Sequence, residues 1–79
     1  MDEYVVYAIK SRLDQRIYVG FSKNIEKRLK EHNAGKTKST KGFRPWNLIF
    51  TEQVTGRANA RKREKYYKSG IGKEFLKSL

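Results

Sequence analysis

Five side chains stand out for the chemistry their types and placement could do: two phenols, Tyr7 and Tyr18, a guanidinium and an imidazole four residues apart, Arg28 and His32, and the carboxylate of Glu64. Tyr7 and Tyr18 fall on one face of a predicted β-hairpin, so their rings come within reach of each other. They are either a reacting pair or strand aromatics filling a small core. Arg28 and His32, at i and i+4, are neighbours on a predicted helix and point partly inward. Taken singly, each has a plain structural reading, as a solvated or ion-paired arginine and as a helix-end histidine bonded to backbone. Glu64 stands on the inward seam of a basic helix, where a carboxylate is costly unless a cation or several donors meet it. It is therefore either a ligand for a divalent metal or a salt-bridge partner for one of the many arginines.

The elements that must position these groups can be read from the order of apolar residues. Tyr4 to Ile9 and Ile17 to Val19 are β-branched or aromatic runs separated by a polar stretch with Asp14 and Gln15, the pattern of a hairpin. Strands are expected at about 4 to 10 and 16 to 20. With the turn centred near Arg12 and Leu13, Tyr7 lies opposite or diagonal to Tyr18. Ser22, Lys23 and Asn24 offer capping side chains before a helix at about 24 to 34, with Ile25 and Leu29 on its buried face and Gly35 as its stop. Residues 35 to 42 are small, polar and basic and read as an exposed loop, whose hydroxyls and lysines suit a phosphate backbone. A third strand at 46 to 54 carries Trp46, Leu48, Phe50 and Val54 at even positions as one apolar face. A second helix runs from about Arg57 to Ser69, ended by Gly70, with Ala60, Glu64 and Tyr67 in one stripe. A short helix from Lys73 to Leu79 closes the core.

Nineteen Lys and Arg against eight Asp and Glu give a formal net charge of +11 over 79 residues. Such a field draws polyanions, and nucleic acid is the expected partner. The charge is not spread evenly. Positive residues gather from Ser22 to Arg44 and again from Arg57 to Lys77, both beyond the hairpin. Lys23, Lys36, Lys38, Thr40, Lys41 and Arg44 are the candidate nucleic-acid contacts. The length suits one small domain, residues 1–79. Without cysteine there is neither a disulfide framework nor a thiolate metal site. No stretch approaches a membrane span and the acidic Asp2-Glu3 start is unlike a signal peptide, so the expectation is a cytoplasmic protein without a membrane partner.

Val5-Val6-Tyr7 followed by Tyr18-Val19-Gly20 resembles the paired Gly-Ile-Tyr and Tyr-Ile-Gly elements of the GIY-YIG nucleases, with the first glycine replaced. Arg28, His32 and Glu64 follow in the order of that family's catalytic set. The Asn33-Ala34-Gly35, Pro45-Trp46 and Arg63-Glu64-Lys65 contexts look like compact members related to the N-terminal nuclease domain of the excinuclease. The resemblance implies an α+β fold, a small three-stranded antiparallel sheet flanked by helices. It also implies a metal-dependent endonuclease of the DNA repair or recombination type, with DNA favoured over RNA as the substrate. Glu64 would hold one Mg²⁺ or Mn²⁺, Arg28 would neutralise transition-state charge, and Tyr7 or Tyr18 would orient or deprotonate water with His32 relaying the phenolic proton. A free phenol is too protonated at neutrality for that task, so Arg28 and the metal are expected to make it more acidic.

Two positions depart from excinuclease-type members, Phe21 where they carry a basic residue and Leu76 where they carry a polar one, often asparagine. The competing expectations are a catalytically weak nucleic-acid-binding module and a subunit that takes its specificity from a protein partner.

Overall fold

The computed structural model describes residues 2–79. Its central strand is the first, β1 (Glu3–Ser11), with β2 (Ile17–Ser22) antiparallel on one side and β3 (Trp46–Thr55) antiparallel on the other. Helix α1 (Ile25–Ala34) follows β2, a short 3₁₀ turn (Lys41–Phe43) precedes β3, and α2 (Arg57–Lys68) and α3 (Gly70–Lys77) complete the chain. The expected α+β architecture is present. The hairpin turn is centred one residue later than expected, since Lys10 pairs with Ile17 and Tyr7 with Gly20. Tyr18 is then opposite Ile9, and Tyr7 and Tyr18 are diagonal neighbours on one face.

Both faces of the sheet are covered. Tyr4, Val6 and Ala8 alternate onto one face and pack with Val19, Ala60, Tyr67 and Leu76, so α2 and α3 lie there. Tyr7 and Ile9 alternate onto the other, where Trp46, Tyr18, Ile25 and Leu29 gather around them and α1 lies. The third strand departs from the expected single apolar face. Ala8 pairs with Phe50 and Ile9 with Leu48, so Ile49 is an extra residue on β3 and a bulge divides the strand. Trp46 therefore joins the Tyr7 face, while Phe50 and Val54 pack on the Tyr4 face.

Local signals end the helices where backbone groups need partners. The Asn24 side chain accepts from the Lys27 amide at 3.1 Å, and Gly35 closes α1 at φ 80° with its amide bonded back to Glu31 and His32. Gly70, expected as a stop, instead begins α3, because Ser69 bonds back to Lys65 and Tyr66 and turns the chain. Two residues later a side chain on Gly72 would collide with the Tyr66 carbonyl, so the α2–α3 corner is packed backbone to backbone. α3 thus starts three residues earlier than expected and ends at Lys77.

Candidate active site

The site forms where β1 and β2 meet α1. Gly20 sits opposite Tyr7, and the absent side chain lets the Tyr7 ring lean across β2. There the phenol meets the last turn of α1, with Tyr7 Oη 2.8 Å from His32 Nε2. His32 Nδ1 lies 2.8 Å from Thr40 Oγ1, and the Thr40 hydroxyl donates to the Thr37 carbonyl at 3.3 Å. One proton arrangement satisfies all three bonds. Tyr7 O–H donates to Nε2, Nδ1–H donates to Thr40, and Thr40 O–H donates to Thr37. The Trp46 indole N–H bonds the Thr40 carbonyl at 2.9 Å, and Asn33 bonds both the amide and the carbonyl of Trp46, so the loop is pinned under the histidine.

Burial governs the titration of both rings. Desolvation, helped by the neighbouring Tyr18, pushes the Tyr7 phenol up to about 12 against the pull of Arg28. Desolvation and the Arg28 charge push His32 down to about 4. Arg28 pulls the phenol towards acidity as expected, but loss of water outweighs the guanidinium, so the net shift in the resting site is upward. At neutral pH the pair rests as neutral phenol and neutral imidazole.

The other groups converge on the same phenol. The rings of Tyr7 and Tyr18 are 6.5 Å apart, and Tyr18 stands edge-on to His32 at 5.0 Å. The Tyr18 hydroxyl has no side-chain or backbone partner among the described residues, and no buried side-chain polar atom is left unpaired, so it faces solvent. Arg28 is half-buried and paired with Glu31 at 3.0 Å, its charge bearing on Tyr7. Glu64 reaches the cluster from α2 across the β2 edge, and its charge also bears on Tyr7. Its carboxylate is 18% exposed and touches Lys68 at 3.3 Å and Arg61 at 3.8 Å, both on its own helix. Tyr18, Arg28, His32 and Glu64 therefore all bear on the one phenol of Tyr7.

The candidate nucleic-acid contacts divide. Lys23, Lys36, Lys38, Lys41 and Arg44 are exposed, Lys23 beside Asp2 at 3.3 Å and Arg44 donating to the Lys41 carbonyl at 2.8 Å. Thr40 is corrected: it is fully buried under His32, so its hydroxyl is spent inside the protein and is not offered to a phosphate. The two departures from excinuclease-type members are packing choices. Leu76 is buried in the core, and Phe21 packs edge-on against Tyr4 at 5.7 Å. Arg57 and Arg61 lie over the Phe21 ring at 5.6 and 5.7 Å, so α2 places positive charge where residue 21 lacks it.

A second polar group escaped sequence reasoning. Arg63 grips Glu52 through two bonds of 2.6 and 3.0 Å and the Tyr67 hydroxyl at 2.8 Å, tying α2 to β3. Nothing in the local sequence singles out Glu52, since the pairing spans a strand and a helix. It fixes the helix that carries Glu64.

No group of three or more histidines or carboxylates converges among the described residues, so a cation at this site would have Glu64 as its protein ligand. A lone carboxylate suits Mg²⁺ or Mn²⁺, hard ions that keep several waters and accept substrate phosphate oxygens. The donor set fits such an ion. It does not fit zinc, which takes three or four nitrogen or sulfur ligands.

Comparison with known proteins places the fold in a family. The family model described as the GIY-YIG catalytic domain matches residues 3–75. A UPF0213 protein of Staphylococcus saprophyticus is 37% identical over 80 residues, covering 100% of this chain and 96% of its own length. Another, from Syntrophus aciditrophicus, is 41% identical over 81 residues, covering 100% and 92%. The solution NMR structure of a UPF0213 protein from Bacillus halodurans superposes with a TM-score of 0.58 at 31% identity, over 98% of this chain and 84% of that one.

Proposed function

The chain belongs to the GIY-YIG family, and from that premise we propose that it is a divalent-metal-dependent endonuclease that hydrolyses phosphodiester bonds in DNA. The observation that carries this reading is the convergence of Tyr18, Arg28, His32 and Glu64 on the Tyr7 phenol. A structural tyrosine needs one hydrogen-bond partner. It does not need a second phenol, a guanidinium and a carboxylate from three further elements.

Each group has a role that its surroundings support. Tyr18 keeps its hydroxyl toward solvent and orients the attacking water. Tyr7 is held by His32, and the Nε2 lone pair stands ready for the phenolic proton when positive charge draws it off. Arg28 sits where added negative charge on a pentavalent phosphate needs a preorganised cation. Glu64 holds Mg²⁺ or Mn²⁺, which when bound supplies Lewis-acid polarisation of the phosphate and stabilisation of the leaving oxyanion. Lys23, Lys36, Lys38, Lys41 and Arg44 give sequence-tolerant contacts to the backbone, with specificity left to a protein partner or to substrate shape.

The test is a cleavage assay on duplex, flap and branched DNA and on RNA with Mg²⁺ or Mn²⁺, run beside an NMR metal titration. Cutting that needs metal, with Glu64 and both tyrosines shifting together, is the expected result. A purified protein that binds these substrates but cuts none of them is instead a binding module, and one that cuts RNA alone reverses the substrate assignment.

A further inference from the structure

At the hairpin end of the sheet a cleft of about 370 Å³ is lined by Lys10, Gln15, Arg16, Ile17, Lys73 and Lys77. Lys10 and Ile17 are cross-strand partners on the α3 face, opposite the face that carries Tyr7 and Tyr18. Lys73 and Lys77, one turn apart, look at them from α3. Three lysines from β1 and α3 therefore border one space that no carboxylate lines, and Arg16 borders it too, although its guanidinium lies 3.4 Å over the Phe43 ring on the other face. Arg16 is partly neutralised by Asp14 at 2.8 Å, and the nearest carboxylate to Lys77 is Glu74 at 3.8 Å. Lys10 and Lys73 are half-buried, and neither makes an ion pair among the described residues.

Lysines gathered without a counter-charge repel one another, and a bound anion relieves that cost. Lysines meet a phosphate as mobile point charges, the Gln15 amide is a further donor, and Ile17 gives an apolar floor on which a sugar can rest. β2 is an edge strand, and its successive residues Ile17 and Tyr18 face opposite sides. The cleft and the active site are thus separated by the β2 edge alone.

We propose that this cleft is a second phosphate-binding site, which holds a single strand of the nucleic-acid substrate after it has passed round the β2 edge from the active site. Its occupant rests on the nuclease reading; its chemistry, a phosphodiester anion, does not. The site favours a substrate with an unpaired strand beside the cut, because a duplex lying on one face cannot also enter the other.

The test uses the full chain, ¹⁵N-labelled, titrated with inorganic phosphate, a nucleoside monophosphate, a single-stranded oligonucleotide and anionic vesicles. Shifts at the Ile17 and Lys73 amides are expected with all three phosphate ligands, saturating at the lowest concentration with the oligonucleotide. The double variant Lys73→Gln/Lys77→Gln should bind single strands less tightly, with a slope of log affinity against log salt shallower by roughly 1 to 1.5. Its KM for a flapped substrate should rise while kcat is kept. Unchanged affinity and slope would overturn the proposal, as would saturation by the monophosphate below the oligonucleotide concentration or amide shifts with vesicles alone. A wild type that cuts nothing yet passes the binding test sinks the nuclease reading and leaves the cleft standing. Normal cutting with an indistinguishable variant does the reverse.

Discussion

Gly20 and Tyr7 face each other across the β1–β2 ladder, and a Cβ placed on Gly20 would lie 2.8 Å from the Tyr7 hydroxyl oxygen and 3.3 Å from the Tyr18 ring. The glycine of the Tyr18-Val19-Gly20 element therefore makes room for a phenol, and no positive φ is involved. Gly20→Ala should destabilise the fold by about 1–3 kcal/mol, the usual cost of overpacking. It should also push Tyr7 off His32 and lower cleavage more than stability loss explains. Denaturant titration beside single-turnover cleavage separates the two effects.

Stability should fall on mild acidification. His32 titrates near 4 in the folded protein and near its ordinary 6.5 when unfolded, so the unfolded chain takes up the proton first. Its contribution is complete above about pH 6.5 and is lost as the pH drops towards 4, on the order of 3 kcal/mol in all. Urea midpoints measured from pH 7 to 4 check this, with His32→Gln as a flatter control. Imidazole ¹⁵N shifts should place the neutral-state proton on Nδ1.

Glu64→Gln should abolish metal-dependent cleavage while the fold survives. The Glu64 ion pairs are with partly exposed cations of its own helix, a class worth less than about 1 kcal/mol. Affinity for DNA should hold or rise, since a negative charge leaves a basic surface. Unfolding of the variant in thermal melts would make Glu64 a structural residue. Arg28→Ala, read in the same assay, should cost on the order of 10² or more in rate.

The two phenols should respond differently to loss of their hydroxyls. Tyr18→Phe removes a group that faces solvent, so it should spare stability and lower activity strongly. Tyr7→Phe leaves His32 Nε2 buried without a donor and should destabilise by about 1–3 kcal/mol. Equal activity losses, at equal stability, would remove the distinction drawn between water-facing and relay phenol.

Much of this arrangement is legible in the sequence because it is local. Alternating β-branched and aromatic residues mark β1 and β2, and the two-residue period then puts Tyr7 and Tyr18 on one face whichever of two registers forms. Asn24 and Gly35 mark the ends of α1 through their own backbone geometry. What the sequence hides is non-local. The bulge at Ile49 leaves no mark in composition, yet it sends Trp46 and Phe50 to opposite faces. Thr40 looks like any hydroxyl in a basic loop, and its burial depends on His32 and Trp46 reaching it from two other elements. The raised Tyr7 pKa is hidden for the same reason, since it measures how completely the fold excludes water.

The pairing of β1 with β3 has a consequence for the timing of activity. Glu3 meets Thr55, so β1 completes its partnership with β3 only after the fifty or so residues between them have been made, a long loop that is slow to close. Arg28 and His32 come from one side of that sheet and Glu64 from the other. An unfinished chain on the ribosome thus carries the phenols, the guanidinium and the imidazole without the carboxylate. On the nuclease reading, the site is complete only once α2 has packed on the sheet face opposite α1.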